Sequence, residues 1–220
     1  SLVIFVLIIA YRLALAIFGD SRAYLLTDPA SLSLLLPVYT ILIALKDEAA
    51  CMPQLSDSLM SLEYPRHLLD VKLLLEAGDD ATKDAIHAQI WPEGTEVLVL
   101  PPGKPQTKPR ALNYGLGRAR GAFVTVYDAE DRPNPGQLME AARRFAWDTD
   151  LACVQAPLSG NVRFGSWLSR HWALEYAIQF HRLMPALARL GMPIPLGGTS
   201  NHFRRRALLA SGGWDAWNVT

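Results

Sequence analysis

Between residues 38 and 155 the chain alternates short β-branched or aliphatic runs with stretches of helical periodicity, and this alternation most limits what it can fold into. Residues 38–44 (VYTILIA) are rich in β-branched side chains and read as a buried strand. Residues 53–62 carry Leu55, Leu59 and Leu62 at helical spacing. The pattern then repeats: strands at 68–75, 96–100, 121–127 and 151–155, and helices at 80–90, 110–120 and 134–147, the last opened by Pro135. Strands that alternate with helices predict an α/β fold, a mostly parallel sheet with helices on both faces. Ligands in such sheets bind beyond the carboxyl ends of the strands. Glu76 closes the second strand and Asp128 the fourth, so the acidic residues are expected at that end. Residues 167–190 change character and predict a long aromatic helix carrying Trp167, Trp172, Tyr176 and Phe180.

The first 30 residues set a different expectation. Residues 2–10 are continuously apolar, Tyr11 and Arg12 follow, and residues 13–18 are apolar again. One helix over 2–18 spans about 25 Å at 1.5 Å per residue, slightly short for a bilayer, and puts Arg12 in the hydrocarbon. The favoured expectation is a span that begins upstream, with Tyr11 and Arg12 at the cytoplasmic interface and 13–26 along it. Residues 1–30 are therefore expected to be a transmembrane and interfacial helix, and 37–220 a cytosolic domain. The chain opens without Met in an apolar run and ends abruptly at Thr220, which reads as a piece of a longer protein. With 21 basic and 21 acidic residues the net charge is zero, which makes nucleic acid a poor partner. Cys51 and Cys153 lack metal-type spacing and read as reduced thiols.

Four clusters carry chemistry. In Asp128-Ala129-Glu130-Asp131, three acids after a hydrophobic strand repel one another. A hard cation, Mg²⁺ or Mn²⁺, completed by phosphate oxygens removes that cost; a solvated acidic turn is the alternative reading. Glu76 stands at the second strand end as a candidate ligand, while Asp79 or Asp80 reads as a helix cap. Lys108-Pro109-Arg110-Ala111-Leu112-Asn113 opens a helix, a ready anion site. The segment 197–206 joins flexible backbone and small hydroxyls to Arg204, Arg205 and Arg206, which suit a phosphate or sugar, or else a solvated or lipid-facing helix start. His87, His171 and His181 have no ligand spacing.

In order, these segments resemble the family 2 glycosyltransferases, in particular the bacterial membrane-embedded, cellulose-synthase-like branch, from residue 37 to 220. Ile43-Ala44-Leu45-Lys46-Asp47-Glu48 is similar to the first-strand motif, 76–82 to the second acidic motif, 108–113 to the Lys-Pro-Lys-Ala-Leu-Asn box, and 128–133 to the metal motif. Val154-Gln155, Glu175-Tyr176-Ala177 and Gly198-Thr199-Ser200-Asn201 are similar to the acceptor side. The resemblance implies a GT-A-like fold and inverting transfer from a nucleotide-diphosphate sugar, a UDP-sugar first, to a growing β-linked polysaccharide. Single-sugar transfer to a lipid carrier and a non-catalytic nucleotide-sugar-binding module are the alternatives. It implies donor contacts from Ala44, Leu45, Glu48, Glu76, Lys108 and Asp128, a metal on Asp128 and Glu130, and acceptor contacts from Gly198, Thr199, Ser200 and Asn201. It also implies a base just after Thr220, so that the chain alone binds donor weakly and does not turn it over. The implied location is the bacterial inner membrane with a cytoplasmic catalytic domain. Two positions depart from the family pattern: Glu130 stands where Asp is commoner, and Ala44 where Pro is frequent.

Overall fold

The computed structural model describes residues 2–18, 35–159 and 166–218. In chain order the elements are α1 (Leu2–Phe18), β1 (Tyr39–Leu45), α2 (Met52–Met60), β2 (Leu69–Leu75), α3 (Asp80–His87), β3 (Glu96–Val99), α4 (Lys108–Leu116), β4 (Phe123–Tyr127), α5 (Gln137–Trp147), β5 (Cys153–Gln155), α6 (Trp167–Ile178), α7 (Met184–Arg189), β6 (Asn201–Arg204) and α8 (Arg205–Ala210). They form two compact units, residues 1–33 with 157–197, and residues 34–156 with 198–220. Residues 157–197, read from sequence as part of the domain 37–220, thus group with the amino-terminal helix.

The larger unit is a six-stranded sheet of order β3-β2-β1-β4-β6-β5. The first four strands are parallel, with Leu45 opposite Leu75, Leu75 opposite Val99 and Ile43 opposite Tyr127. Side chains alternate across β1. Ile41, Ile43 and Leu45 join α2, α3 and α5 in one core, and Leu42 joins α4 and α8 in the other. Helices therefore cover both faces, as the alternation predicted. Gly115 permits the close seating of α4, since a Cβ there would lie 2.8 Å from the Leu74 side chain.

The far side of the sheet departs from the simple alternation. β5 does not neighbour β4, because β6 lies between them and runs antiparallel to both. Asn201-His202-Phe203-Arg204 has no β-branched run, so no strand was expected there. Its polarity is accommodated by a buried network. Tyr39 Oη lies 2.7 Å from His202 Nδ1, Tyr127 Oη donates to Gln137 Oε1 at 2.7 Å, and His202 Nε2 is 3.2 Å from the same oxygen. The Gln137 oxygen only accepts, so His202 carries its proton on Nε2 and accepts the Tyr39 hydroxyl on Nδ1. At the amino ends of β1 and β2, Asp70 accepts from Thr40 Oγ1, Arg120 N and Arg120 Nε at 2.8–3.0 Å, and pairs with buried Lys72 at 3.0 Å. Burial alone would push the Asp70 carboxyl up, but these hydrogen bonds more than offset it and hold it below the usual range.

Of the two sequence readings of the arginine run, the structure favours the helix start, with Arg204 preceding α8 and Arg205 and Arg206 opening it. Register places Arg204 opposite Phe123, at the amino end of β4. Arg204 donates to the carbonyls of Leu151 and Asp148, Arg205 to Ala119 and Arg206 to Thr149. These guanidiniums cap chain ends at the opposite end of the strands from Asp128, rather than forming a phosphate site beside it.

The smaller unit comprises α1, α6 and α7, with a π-helical turn, Gln179–Leu183, between the last two. Leu15 packs with Leu183 and Ala186. Tyr11 and Arg12 do not end α1. The helix runs through them, and Arg12 lies 3.7 Å from Glu175. α1 has 17 residues, and among the described residues no helix is long and apolar enough to cross a membrane. The expected span, which begins upstream of residue 1, finds no support within the described residues, and the interfacial stretch after residue 18 lies outside them.

Burial pushes the His202 pKa from 6.5 down to about 3. An unfolded chain binds a proton there that the folded one refuses, so this group's contribution is intact above pH 6.5 and lost as pH falls toward 3. Guanidinium unfolding is expected to lose about 1.4 kcal/mol per pH unit from this residue between pH 6 and 4. A His202→Gln variant should show a shallower slope; an unchanged slope would contradict the assignment.

Candidate donor site

The parallel register brings the turns that follow β1 to β5 to one end. Leu45, Glu76, Leu100, Asp128 and Gln155 leave the sheet there, and the antiparallel β6 enters there from Gly198-Thr199-Ser200.

The first two turns are stitched together. Asp47 has a positive φ of 58° and donates its N–H to Asp79 Oδ2 at 2.7 Å. Asp79 Oδ1 caps α3 by accepting from Thr82 N at 3.0 Å, as its position predicted. Glu48 N–H donates to Thr82 Oγ1 at 3.0 Å. Burial pushes the Asp79 carboxyl up, and its hydrogen bonds from Thr82 and Asp47 outweigh that and leave it depressed. The Leu45 side chain is buried in the core, and its carbonyl accepts from Glu76 N at 3.1 Å. Ala44 is half-buried at the end of the same strand. From Ala44 and Leu45, a ligand would meet mostly main chain.

Glu76 is nearly buried, and its Oε1 lies 3.3 Å from Arg110 Nη1. Arg110 also donates to the Pro101 carbonyl. The sequence reading had treated this arginine only as part of an anion site; the structure makes it the partner that fixes Glu76. α4 begins one residue after Thr107, which accepts from Arg110 N at 3.4 Å and donates to Ala216 O at 2.7 Å. Thr107 was not singled out from sequence, although a Thr before Lys-Pro is a cap signal.

Lys108 joins the two sides of the site. Its ammonium contacts Asp128 Oδ1 and donates to the Gly198 carbonyl at 2.8 Å. Both side chains of the pair are about one-third exposed, at 32% and 33%. Glu130 is exposed, and its carbonyl accepts from Gln54 Nε2. The third acid of the cluster is engaged elsewhere. Asp131 Oδ2 accepts from Asp128 N at 2.8 Å and from Thr199 Oγ1, and burial pushes its carboxyl upward. Among the described residues no group of three His, Cys, Asp or Glu side chains is arranged to hold a metal. What the chain offers is a pair of hard carboxylates, Asp128 and Glu130. A cationic ammonium already rests on the first, which shows that this oxygen accommodates positive charge. That donor set fits a Mg²⁺- or Mn²⁺-type ion whose remaining ligands come from phosphate and water.

Of the residues expected on the acceptor side, Gly198 is exposed, whereas Thr199, Ser200 and Asn201 are buried. Ser200, with φ 55°, donates its N–H to Val126 O at 2.8 Å and its carbonyl accepts from Ala156 N, which locks the entry to β6. The loop therefore presents Gly198, with its other three residues turned to structure.

A clamp on α4 completes the site. Asn113 Nδ2 donates to Trp214 O at 2.6 Å, and Asn113 Oδ1 accepts from Trp214 N at 2.9 Å. Gly213 has φ 77°, and a Cβ there would sit 2.6 Å from Asn113 Oδ1. Asn113→Ala is expected to destabilise this attachment by about 1–3 kcal/mol, because two backbone groups lose their partners. Faster amide exchange at Trp214 measures it, and unchanged protection would contradict it.

Residues 37–220 match the family model described as "Glycosyltransferase like family 2". The chain is 28% identical to the beta-monoglucosyldiacylglycerol synthase of Trichormus variabilis over 188 residues, 84% of this chain and 39% of that protein. It is 27% identical to the Synechocystis protein of the same name over 198 residues, 89% of this chain and 40% of that protein. The chain thus spans about two fifths of the length of the curated relatives it matches. In structure it is similar to the mannosyltransferase PcManGT from Pyrobaculum calidifontis, solved in complex with GDP-Man and Mn²⁺. The TM-score is 0.63 at 21% identity, covering 82% of this chain and 48% of that one. It is also similar to S. aureus TarS 1-349 in complex with UDP, with TM-score 0.60 at 16% identity, covering 80% and 49%. These likenesses show the fold.

Proposed function

The chain belongs to glycosyltransferase-like family 2, and on that premise we propose that it forms the donor half of a site that transfers a sugar, with inversion, from a nucleoside-diphosphate sugar to an acceptor at a membrane. The observation that carries this reading is the meeting of Lys108 with Asp128 and the Gly198 carbonyl at the carboxyl end of β4.

Each residue has a physical task. Arg110 fixes Glu76, so a carboxylate stands at the end of β2 to accept from a base imide or a ribose hydroxyl. Glu48 and the main chain at Ala44 and Leu45 border the same pocket end. Lys108, at the first turn of α4, supplies a positive charge to the diphosphate beside the helix amino terminus. Asp128 and Glu130 are the residues to hold Mg²⁺ or Mn²⁺, which when bound would neutralise charge on the departing diphosphate. Gly198 is the exposed member of the loop that borders the acceptor, and its carbonyl can take a hydroxyl proton donor. A carboxylate beyond Thr220 would accept the acceptor's proton; Asn113 and Thr107 hold the segment that leads to it.

A lipid acceptor is favoured over a growing β-linked polysaccharide, because the relatives in Trichormus variabilis and Synechocystis bear the name beta-monoglucosyldiacylglycerol synthase. Membrane association at the inner face of a bacterial membrane follows from the same reading, supported by the apolar, exposed α1.

The test is a screen of labelled nucleotide sugars on the full-length protein in membranes. Asp128→Ala is expected to lower transfer by roughly 10²-fold or more; equal activity in that variant would refute the assignment. A labelled product that migrates as a single-sugar lipid supports the lipid acceptor, and a ladder of lengths supports the polysaccharide.

A further inference from the structure

The loop after β4 and the loop before β6 are joined twice, and the two joints differ in kind. One is the Lys108 ammonium between Asp128 and Gly198, partly exposed and made by residues that face the donor. The other is Asp131, whose Oδ2 takes both the Asp128 N–H and the Thr199 hydroxyl. Thr199 Oγ1 also lies 3.2 Å from the Val126 carbonyl. A hydroxyl has one proton, and the carboxylate is the stronger acceptor. The Val126 carbonyl is already supplied by Ser200 N at 2.8 Å, so the Thr199 proton goes to Asp131. Thr199 is 8% exposed and Asp131 is half-buried, with the Asp131 Oδ2 of this joint taken up by its two donors.

We propose that Asp131 and Thr199 are positioning residues for sugar transfer. Their part-buried hydrogen bond fixes the loop that carries Asp128 and Glu130 against the loop that carries Gly198, so that donor and acceptor meet in one register. This rests on the proposed donor site. It also recasts two residues: Asp131 leaves the metal cluster, and Thr199 acts through its loop rather than on the acceptor. The Lys108 joint must rearrange when a diphosphate competes for the ammonium, whereas the Asp131 joint involves no donor-facing atom and persists through the reaction. Loss of such registration is costly, since displacement of about 1 Å between reacting groups can lower rates on the order of 10²-fold.

The experiment uses the full-length protein in membranes with Thr199→Val, Thr199→Ser, Asp131→Ala and the Asp131→Ala/Thr199→Val double variant. Valine keeps the shape of threonine and removes the hydroxyl. Expected for Thr199→Val is a fall in kcat on the order of tenfold or more with donor KM within about twofold, and recovery in Thr199→Ser. The double variant should be no slower than Asp131→Ala, because both changes break one bond. Wild-type kcat in Thr199→Val, or effects that multiply in the double variant, overturns the proposal. Amide exchange reads the joint without activity: Thr199→Val should speed exchange at Asp128, and Asp131→Ala at Ser200. Unchanged exchange at both also overturns it. A wild type that transfers no sugar from any nucleotide donor, yet shows the reciprocal exchange effect, would instead sink the donor-site reading and leave the joint standing as a structural one.

Discussion

Four parallel strands with helices on both faces leave no choice about where the chain turns. Each strand must be followed by a crossover, so every strand-to-helix turn falls at the same end of the sheet. The proposed donor site is a consequence of that constraint. Glu48 and Thr82, 34 positions apart, meet because β1 and β2 lie in parallel register, and Lys108 and Gly198, 90 apart, meet because β6 enters antiparallel beside β4. The hydrogen bonds among the turns then fix side chains that the sheet only brings near. Asp79 ties the first turn to the second, Arg110 holds Glu76, and Lys108 reaches Asp128.

The sheet ends are chemically unlike. At the amino ends, Asp70 and Lys72 are buried and compensated by Arg120 and Glu96, and the arginines after β6 hold backbone carbonyls. These charges are paired and serve structure. At the carboxyl ends, Asp128 and Lys108 remain about one-third exposed and Glu130 is exposed. Exposure combined with convergence separates a binding end from a stabilising end here, since charge occurs at both.

Much of this was legible in sequence. The five strands up to residue 155 and the helices between them followed from apolar runs of strand length broken by helical periodicity, and the positions of Glu76 and Asp128 followed from the strand ends. β6 was not legible, because Asn201 and His202 read as polar loop. Their burial depends on Tyr39 and Gln137, which are 163 and 65 residues from His202 in the chain. The arginine run stayed open between two readings for a related reason: a basic cluster looks the same whether it faces phosphate or opens a helix, and only the antiparallel register tells them apart. The roles of Arg110, Asn113 and Asp131 were equally invisible, since each depends on a partner distant in sequence. The amino-terminal helix shows the converse. Its apolar run was plain, and α1 takes the whole of it, Leu2–Phe18, as one helix.

The central claim is that Asp128, Glu130 and Lys108 form a cation-dependent diphosphate site at the end of β4. Calorimetric titration of a nucleoside diphosphate into the full-length protein, with Mn²⁺ and then with a chelator, tests it most directly. The account predicts binding with Mn²⁺ that is lost on chelation. Binding of equal affinity in the chelated protein would contradict it.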